Sequence, residues 1–429
     1  MKKYLRYGGK AITIALLLLT IASCKLTGDE TSPPPQGSGG PSQEEMQKLR
    51  DSLRVHDSNS AAEKPAADMQ NKVAPVNAGA PVSPAMIIQE KQVKIAMLLP
   101  LSGANRKLGE AMLDAAQLAV SDLGKTNLAL LPIDSGDDAA TAINAINQAV
   151  QRHADIVLGP LFGPATAAVA PIARQAGISV ISFSNEKNLG QGNVFLMGFA
   201  PEEQVDRVTK YALQKGLQEF SAYAPDDSYG HLVTDELKKD VQSASGTIGI
   251  AEFYKPSGDT RVDLSKAALI TPENTQVAFI PEGGARLAEI SEIIAKNSKE
   301  MGKIQFIGSG QWDDAATTSH PQLSGGWFAA APVKSHADFD LRFAKIYHYS
   351  PSRLASLAYD AAALAGHLAT SNGGNFTAQA ITNPRGFVGT NGIFRFRADG
   401  VCQRGLAVLQ VTPKGFQEID PAPENFDGF

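Results

Sequence analysis

Val93-Lys94-Ile95-Ala96-Met97-Leu98-Leu99, closed by Pro100-Leu101-Ser102-Gly103, decides the fold class. An apolar run this short, ended by proline, reads as a strand buried on both faces, which is how strands of parallel sheets read. Residues 109–123 follow with Ala, Met and Leu at helical spacing. Residues 128–133 then read as a strand, 139–152 as a helix, 155–158 as a strand, 165–176 as a helix and 178–182 as a strand. Strict alternation of this kind implies right-handed βαβ units and one parallel sheet.

A second half repeats the layout. Strands are expected at 220–224, 249–253, 276–280 and 304–307, and helices at 205–215, 231–241 and 285–298. A strand-like segment at 327–332 precedes helices at 337–347 and 354–368. Strands at 392–397 and 405–411 close the chain around Ala398-Asp399-Gly400, which reads as a hairpin turn. The fold class is therefore α/β.

The 429 residues, 43% hydrophobic and 19% charged, suit about two or three globular domains. The first 23 residues carry Lys2, Lys3, Arg6 and Lys10 and no acid. The remainder holds 35 basic and 44 acidic residues, or −9. That balance argues against a nucleic-acid partner, which would want a basic patch. Cys24 and Cys402 are the two cysteines, too few for a disulfide framework or a Cys-based zinc site.

The basic stretch ending at Lys10 leads into twelve nearly all apolar residues, 11–22. That is too short for a membrane span and right for a signal-peptide core. It ends in Ile21-Ala22-Ser23-Cys24, which resembles a bacterial lipobox. The resemblance implies cleavage before Cys24, a lipid on its thiol, and membrane attachment through that lipid. Lys25 in second place implies, by lipoprotein sorting logic, the outer membrane. The expected organisation starts with a signal peptide at 1–23 and an anchor with tether at 24–91. The Pro-, Gly-, Ala- and Ser-rich tether cannot bury enough apolar surface to order itself. Its 67 residues from Lys25 to Lys91 would span roughly 45 Å as a coil and about 220 Å when stretched.

From Gln92 onward the chain resembles the type I periplasmic binding proteins, the leucine-binding-protein family. The resemblance rests on the opening strand and loop, on Asp155-Ile156-Val157-Leu158-Gly159-Pro160-Leu161-Phe162-Gly163, and on residues 171–182. Ala224-Pro225-Asp226-Asp227-Ser228-Tyr229-Gly230 and Leu357-Ala358-Tyr359-Asp360-Ala361 add to it. The segments at 196–199, 308–314 and 325–330 resemble the penicillin-binding-protein activator lipoproteins, which share the fold and regulate peptidoglycan synthases. The family implies two doubly wound parallel-sheet lobes joined by a three-segment hinge. Crossings are placed near Ala200, Pro332 and Gly389, giving lobe one as 92–199 plus 333–389 and lobe two as 200–332 plus 390–429.

In open α/β sheets, ligands sit beyond the carboxyl ends of the strands, where helix N-termini present N–H groups. On that rule the candidate ligand-binding residues are Ser102, Gly103, Gly163, Ser184, Asn185, Tyr229 and Trp312. Ser102, Ser184 and Asn185 also read as helix caps. Trp327, in an apolar strand, reads as core. In amino-acid-binding members a Ser or Thr holds the ligand carboxylate; by spacing that place falls on Gly163. The acid for the ligand ammonium would fall where Gly310 and Gln311 stand, so the resemblance implies a depleted amino-acid clamp.

Hydrolase, zincin and P-loop motifs are absent. No two histidines fall at helical metal-pair spacing. Asp137-Asp138 and Asp226-Asp227 read as helix-entry residues. No enzyme, cofactor or metal is expected. Two functions remain: a lipid-tethered regulator contacting a penicillin-binding protein, or a receptor delivering an amino acid or other small-molecule ligand to an uptake transporter.

Overall fold

The computed structural model describes residues 92–124, 127–256, 264–297, 304–371 and 373–427. All lie in one compact unit, Met86–Phe429. The expected signal peptide, Cys24 and the tether lie outside the described residues.

Strands β1 (Val93–Leu99), β2 (Leu128–Asp134), β3 (Ile156–Leu158), β4 (Ser179–Ser182) and β5 (Val194–Leu196) form a parallel sheet in the order β2-β1-β3-β4-β5. Side-chain alternation divides its residues between two cores. Ile95, Met97 and Leu99 enter one, while Ala96 and Leu98 enter the other. Both faces are covered, so β1 needs apolar residues at every position except Lys94. A fully buried Leu, Ile or Met contributes about 1.5–3 kcal/mol.

Helices α1 (Arg106–Leu123), α2 (Ala139–Gln151) and α3 (Gly163–Ala176) connect these strands. Asp138 caps α2 by accepting from Thr141 N at 2.9 Å. Gly124 and Gly177 end α1 and α3 in the left-handed region, where glycine carries no Cβ penalty.

The second lobe begins with α4 (Pro201–Gln214) and continues through β6 (Glu219–Pro225), α5 (Ser228–Ser243), β7 (Thr247–Tyr254), β8 (Val277–Ile280), α6 (Gly284–Asn297), β9 (Gln305–Gly308) and β10 (Trp327–Ala330). Asp227 caps α5 through Gly230 N at 2.8 Å, the helix-entry role read from the sequence. On β8, Val277 and Phe279 face one core while Ala278 and Ile280 face the other.

The chain then returns to the first lobe as α7 (Val333–Tyr347), α8 (Ala355–Ser371) and α9 (Ala378–Ile381). Helix α8 is buried on nearly all sides, and its alanines and Gly366 allow close packing. A Cβ at Gly366 would stand 2.2 Å from Leu123 of α1.

The last segment departs from the sequence reading. Strands β11 (Phe387–Gly389), β12 (Gly392–Phe396) and β13 (Cys402–Arg404) form a separate antiparallel sheet. The partner of the 392–397 strand across the Asp399-Gly400 turn is therefore β13, not the 405–411 segment. Phe394, Phe396 and Cys402 find their burial in the first lobe's core. Leu406 and Ala407 enter the second lobe's cores, so the third crossing lies at Gly405 rather than near Gly389. Strands β14 (Ala407–Thr412) and β15 (Gly415–Asp420) complete a seven-stranded sheet, β15-β14-β10-β9-β8-β6-β7. Its last two strands run antiparallel.

Candidate functional site

The turn after β1 brings Ser102 and Gly103 to the surface. Donors on both sides of it are used by two acids, Asp134 at the end of β2 and Asp137 in the turn that follows. Leu101 N donates to Asp134 Oδ1 at 2.9 Å, and Ala104 N to Asp137 Oδ2 at 3.0 Å. Asn105 Nδ2 donates to the other Asp137 oxygen at 2.9 Å. Partial burial works to raise the Asp134 carboxyl, but bonds from Ser102, Gly136 and Leu101 hold it below its ordinary range.

The turn after β3 starts α3 at Gly163, which is buried. The Glu186 carboxylate lies against it, since a Cβ at Gly163 would fall 1.8 Å from Glu186 Oε1. A negative charge thus stands where the family resemblance implies a hydroxyl for a ligand carboxylate. Ser184 is 4% exposed and serves its own loop. Its N donates to Ser182 Oγ at 3.0 Å, and its Oγ accepts from Glu186 N at 3.1 Å. Asn185 is exposed.

In the second lobe Tyr229 is half-buried and donates its hydroxyl to Ser309 Oγ at 2.7 Å. Gly310 N donates to Gln204 Oε1 at 2.9 Å, so the chain's own amide occupies that turn. Trp312 corrects the sequence reading. Placed on the pocket wall by its glycine-rich turn, it is fully buried in the second lobe's core. Its indole N–H donates to the Ile280 carbonyl at 3.0 Å, and Gly308 and Gly326 leave room for its rings. Trp327, read as core, is the half-buried one, edge-on to Tyr211 at 5.1 Å.

Residues that sequence reasoning missed lie around Phe199, at the first crossing. The guanidinium groups of Arg353 and Arg404 lie 4.9 and 5.0 Å from its ring centroid. Arg353, just before α8, pairs with Asp313, just after Trp312. This ion pair joins the first lobe to the second. Burial, with Arg404 nearby, lowers the Arg353 guanidinium to about 10. Arg404 donates to the Met197 carbonyl at 2.9 Å and stands 3.9 Å from Asp360. Asp360 is buried in α8 and accepts from Thr390 N at 2.7 Å, Thr390 Oγ1 at 3.0 Å and Asn391 Nδ2 at 3.2 Å. The available signal was a lone acid in an alanine-rich helix.

Glu203, on the first turn of α4, accepts from Arg397 Nη1 at 2.9 Å and Arg404 N at 3.1 Å. Burial outweighs both and pushes its carboxyl up to about 7. A carboxyl raised on folding holds its proton longer in the native state, so stability falls as pH rises from about 4.5 to 7. Glu203→Gln is expected to flatten that fall, measured as urea midpoints from pH 4.5 to 7.5. An unchanged slope would contradict the assignment.

Cys402 is buried, and burial pushes its thiol up to about 12, which makes it inert. A cavity of about 800 Å³ lies beside α4, lined in part by Glu203, Asp206, Lys210, Glu236 and Lys239. None of the seven candidate ligand residues lines it. Among the described residues no helix is long and apolar enough to cross a membrane.

The periplasmic binding protein family matches residues 92–416, and the chain belongs to it. A branched-chain amino acid ABC transporter periplasmic ligand-binding protein of Burkholderia xenovorans LB400 is 17% identical, with a TM-score of 0.63. The match covers 77% of this chain and 94% of that one. At that identity the likeness shows the fold alone, the two-lobed α/β fold of type I periplasmic binding proteins. An uncharacterised protein of Rickettsia prowazekii is 25% identical over 167 residues, 39% of this chain and 44% of that protein. The penicillin-binding protein activator LpoA of Glaesserella parasuis is 28% identical over 137 residues, 32% of this chain. This chain matches less than half the length of either relative, 23% in the case of the activator.

Proposed function

We infer that this chain is a non-catalytic lipoprotein of the bacterial envelope that regulates a peptidoglycan synthase by contacting it. The lipid sits on Cys24, the tether runs through Lys91, and the folded part faces the periplasm from the outer membrane. The observation that carries the reading is the state of the cleft turns. Leu101 N and Ala104 N bind Asp134 and Asp137, Gly310 N binds Gln204, and Asp313 is held by Arg353. A solute receptor needs such groups for its solute. Partial similarity to a penicillin-binding protein activator supports the choice of partner.

The second reading is a solute receptor of an ABC uptake transporter for amino acids or another small solute. It is favoured by the two-lobed architecture, by half-buried Tyr229, and by the likeness of fold to a transporter ligand-binding protein.

The test mixes the full chain, in detergent, with purified peptidoglycan synthases of the same bacterium. Stable co-purification and a saturable rise in synthesis rate are expected with one of them. Absence of both with every synthase would overturn the regulator reading.

A further inference from the structure

Helices α4 and α5 pack against each other in the second lobe. Asp206 of α4 and Glu236 and Asp240 of α5 meet there, each offering a carboxylate oxygen within 4.8 Å of the other two. Three carboxylates at this spacing repel one another unless a cation lies among them. Two lysines neutralise the outer pair. Lys210 Nζ is 2.6 Å from Asp206 Oδ1, and Lys239 Nζ is 2.7 Å from Glu236 Oε1.

Asp240 is the exception. It is 8% exposed, and its Oδ2 has no hydrogen-bond partner. An unpartnered buried carboxylate oxygen is costly, and native structures rarely leave one. Burial first, then Asp206 and Glu236, push its carboxyl up to about 6. One carboxylate oxygen of Asp240 lies within 4.8 Å of an oxygen of each of the other two acids. The other two acids and both lysines also line the cavity of about 800 Å³, so water can reach the cluster from that side.

We propose that Asp206, Glu236 and Asp240 form a binding site for a hard divalent cation, calcium by preference. Oxygen-only ligands select Ca²⁺ or Mg²⁺ over softer metals. Three acids on two separate helices impose no regular octahedron, which calcium's flexible oxygen shell tolerates better than magnesium's, and waters from the cavity would fill the rest of the sphere. The lysine side chains are 60% and 67% exposed and can swing into solvent when the ion enters. The ion would join α4 to α5 without touching the cleft turns, so this site stands independently of the regulator reading.

The test is calorimetric titration of the chelator-stripped full chain, in detergent, with Ca²⁺ and in parallel with Mg²⁺. One Ca²⁺ is expected to bind with a Kd of about 10⁻⁴–10⁻³ M, and Mg²⁺ more weakly. Asp240→Asn keeps the shape and is expected to weaken Ca²⁺ binding at least about tenfold. Glu236→Gln serves the same purpose should Asp240→Asn fail to fold. Lys239→Gln removes a competing ammonium and is expected to tighten binding. No Ca²⁺ binding up to about 10 mM would overturn the proposal. So would binding that the acid-to-amide variants leave unchanged, which would mean ions elsewhere on the chain.

Discussion

Asp360→Ala is expected to lower the unfolding free energy by about 3–5 kcal/mol, the usual cost of removing one partner of a buried charged network. Asp360 is 1% exposed and holds Thr390 and Asn391 by three hydrogen bonds. It also stands opposite Arg404, which is itself 6% exposed. Burial raises the Asp360 carboxyl, against the pull of Arg404 and of those bonds. Its removal would leave Arg404, the Thr390 N–H and the Asn391 amide short of partners at once. Asp360→Asn can still accept from Thr390 and is expected to lose less. Equilibrium urea unfolding measures both. A loss below about 1 kcal/mol for the alanine variant would mean that the network adds little.

Free leucine, isoleucine and valine are expected to bind the folded part no better than millimolar. A zwitterion enclosed in a cleft needs both charged ends satisfied. At Gly163 it would meet the Glu186 carboxylate in place of a hydroxyl. At the second lobe's turn it would meet Gly310, whose N–H already serves Gln204. The nearby acid Asp313 is engaged by Arg353. A hydrogen bond to a charged group is worth about 1.5–3 kcal/mol, and losing one or two weakens affinity roughly ten- to ten-thousand-fold. Titration calorimetry with the three amino acids decides it. Micromolar binding would favour the transport-receptor reading.

Much of the fold was legible because each early segment announces itself locally. Val93–Leu99 is apolar at nearly every position, since both of its faces are covered. Asp138 and Asp227 mark helix starts by a bond three residues long. The closing segment was less legible. Its hairpin signal at Asp399-Gly400 was real, but the signal does not say which sheet the next apolar residues join. Phe394, Phe396 and Cys402 joined the first lobe's core and Ala407, Leu409 and Val411 the second's.

The candidate site divides the same way. The sequence alone determined an α/β chain with turns at strand ends, glycine rather than a hydroxyl at 163, and no acid at 310 or 311. It also carried the Ile21-Ala22-Ser23-Cys24 pattern on which the lipid proposal rests. Only the tertiary structure decided that Trp312 is core. A glycine-rich turn exposes its backbone, while the indole goes wherever apolar volume and a free carbonyl are found, here at Ile280. The structure alone also joined Arg353 to Asp313 across 40 residues of chain, and Asp206 to Glu236 and Asp240 across two helices. Such groupings depend on distances between elements far apart in sequence, which no local periodicity or propensity encodes.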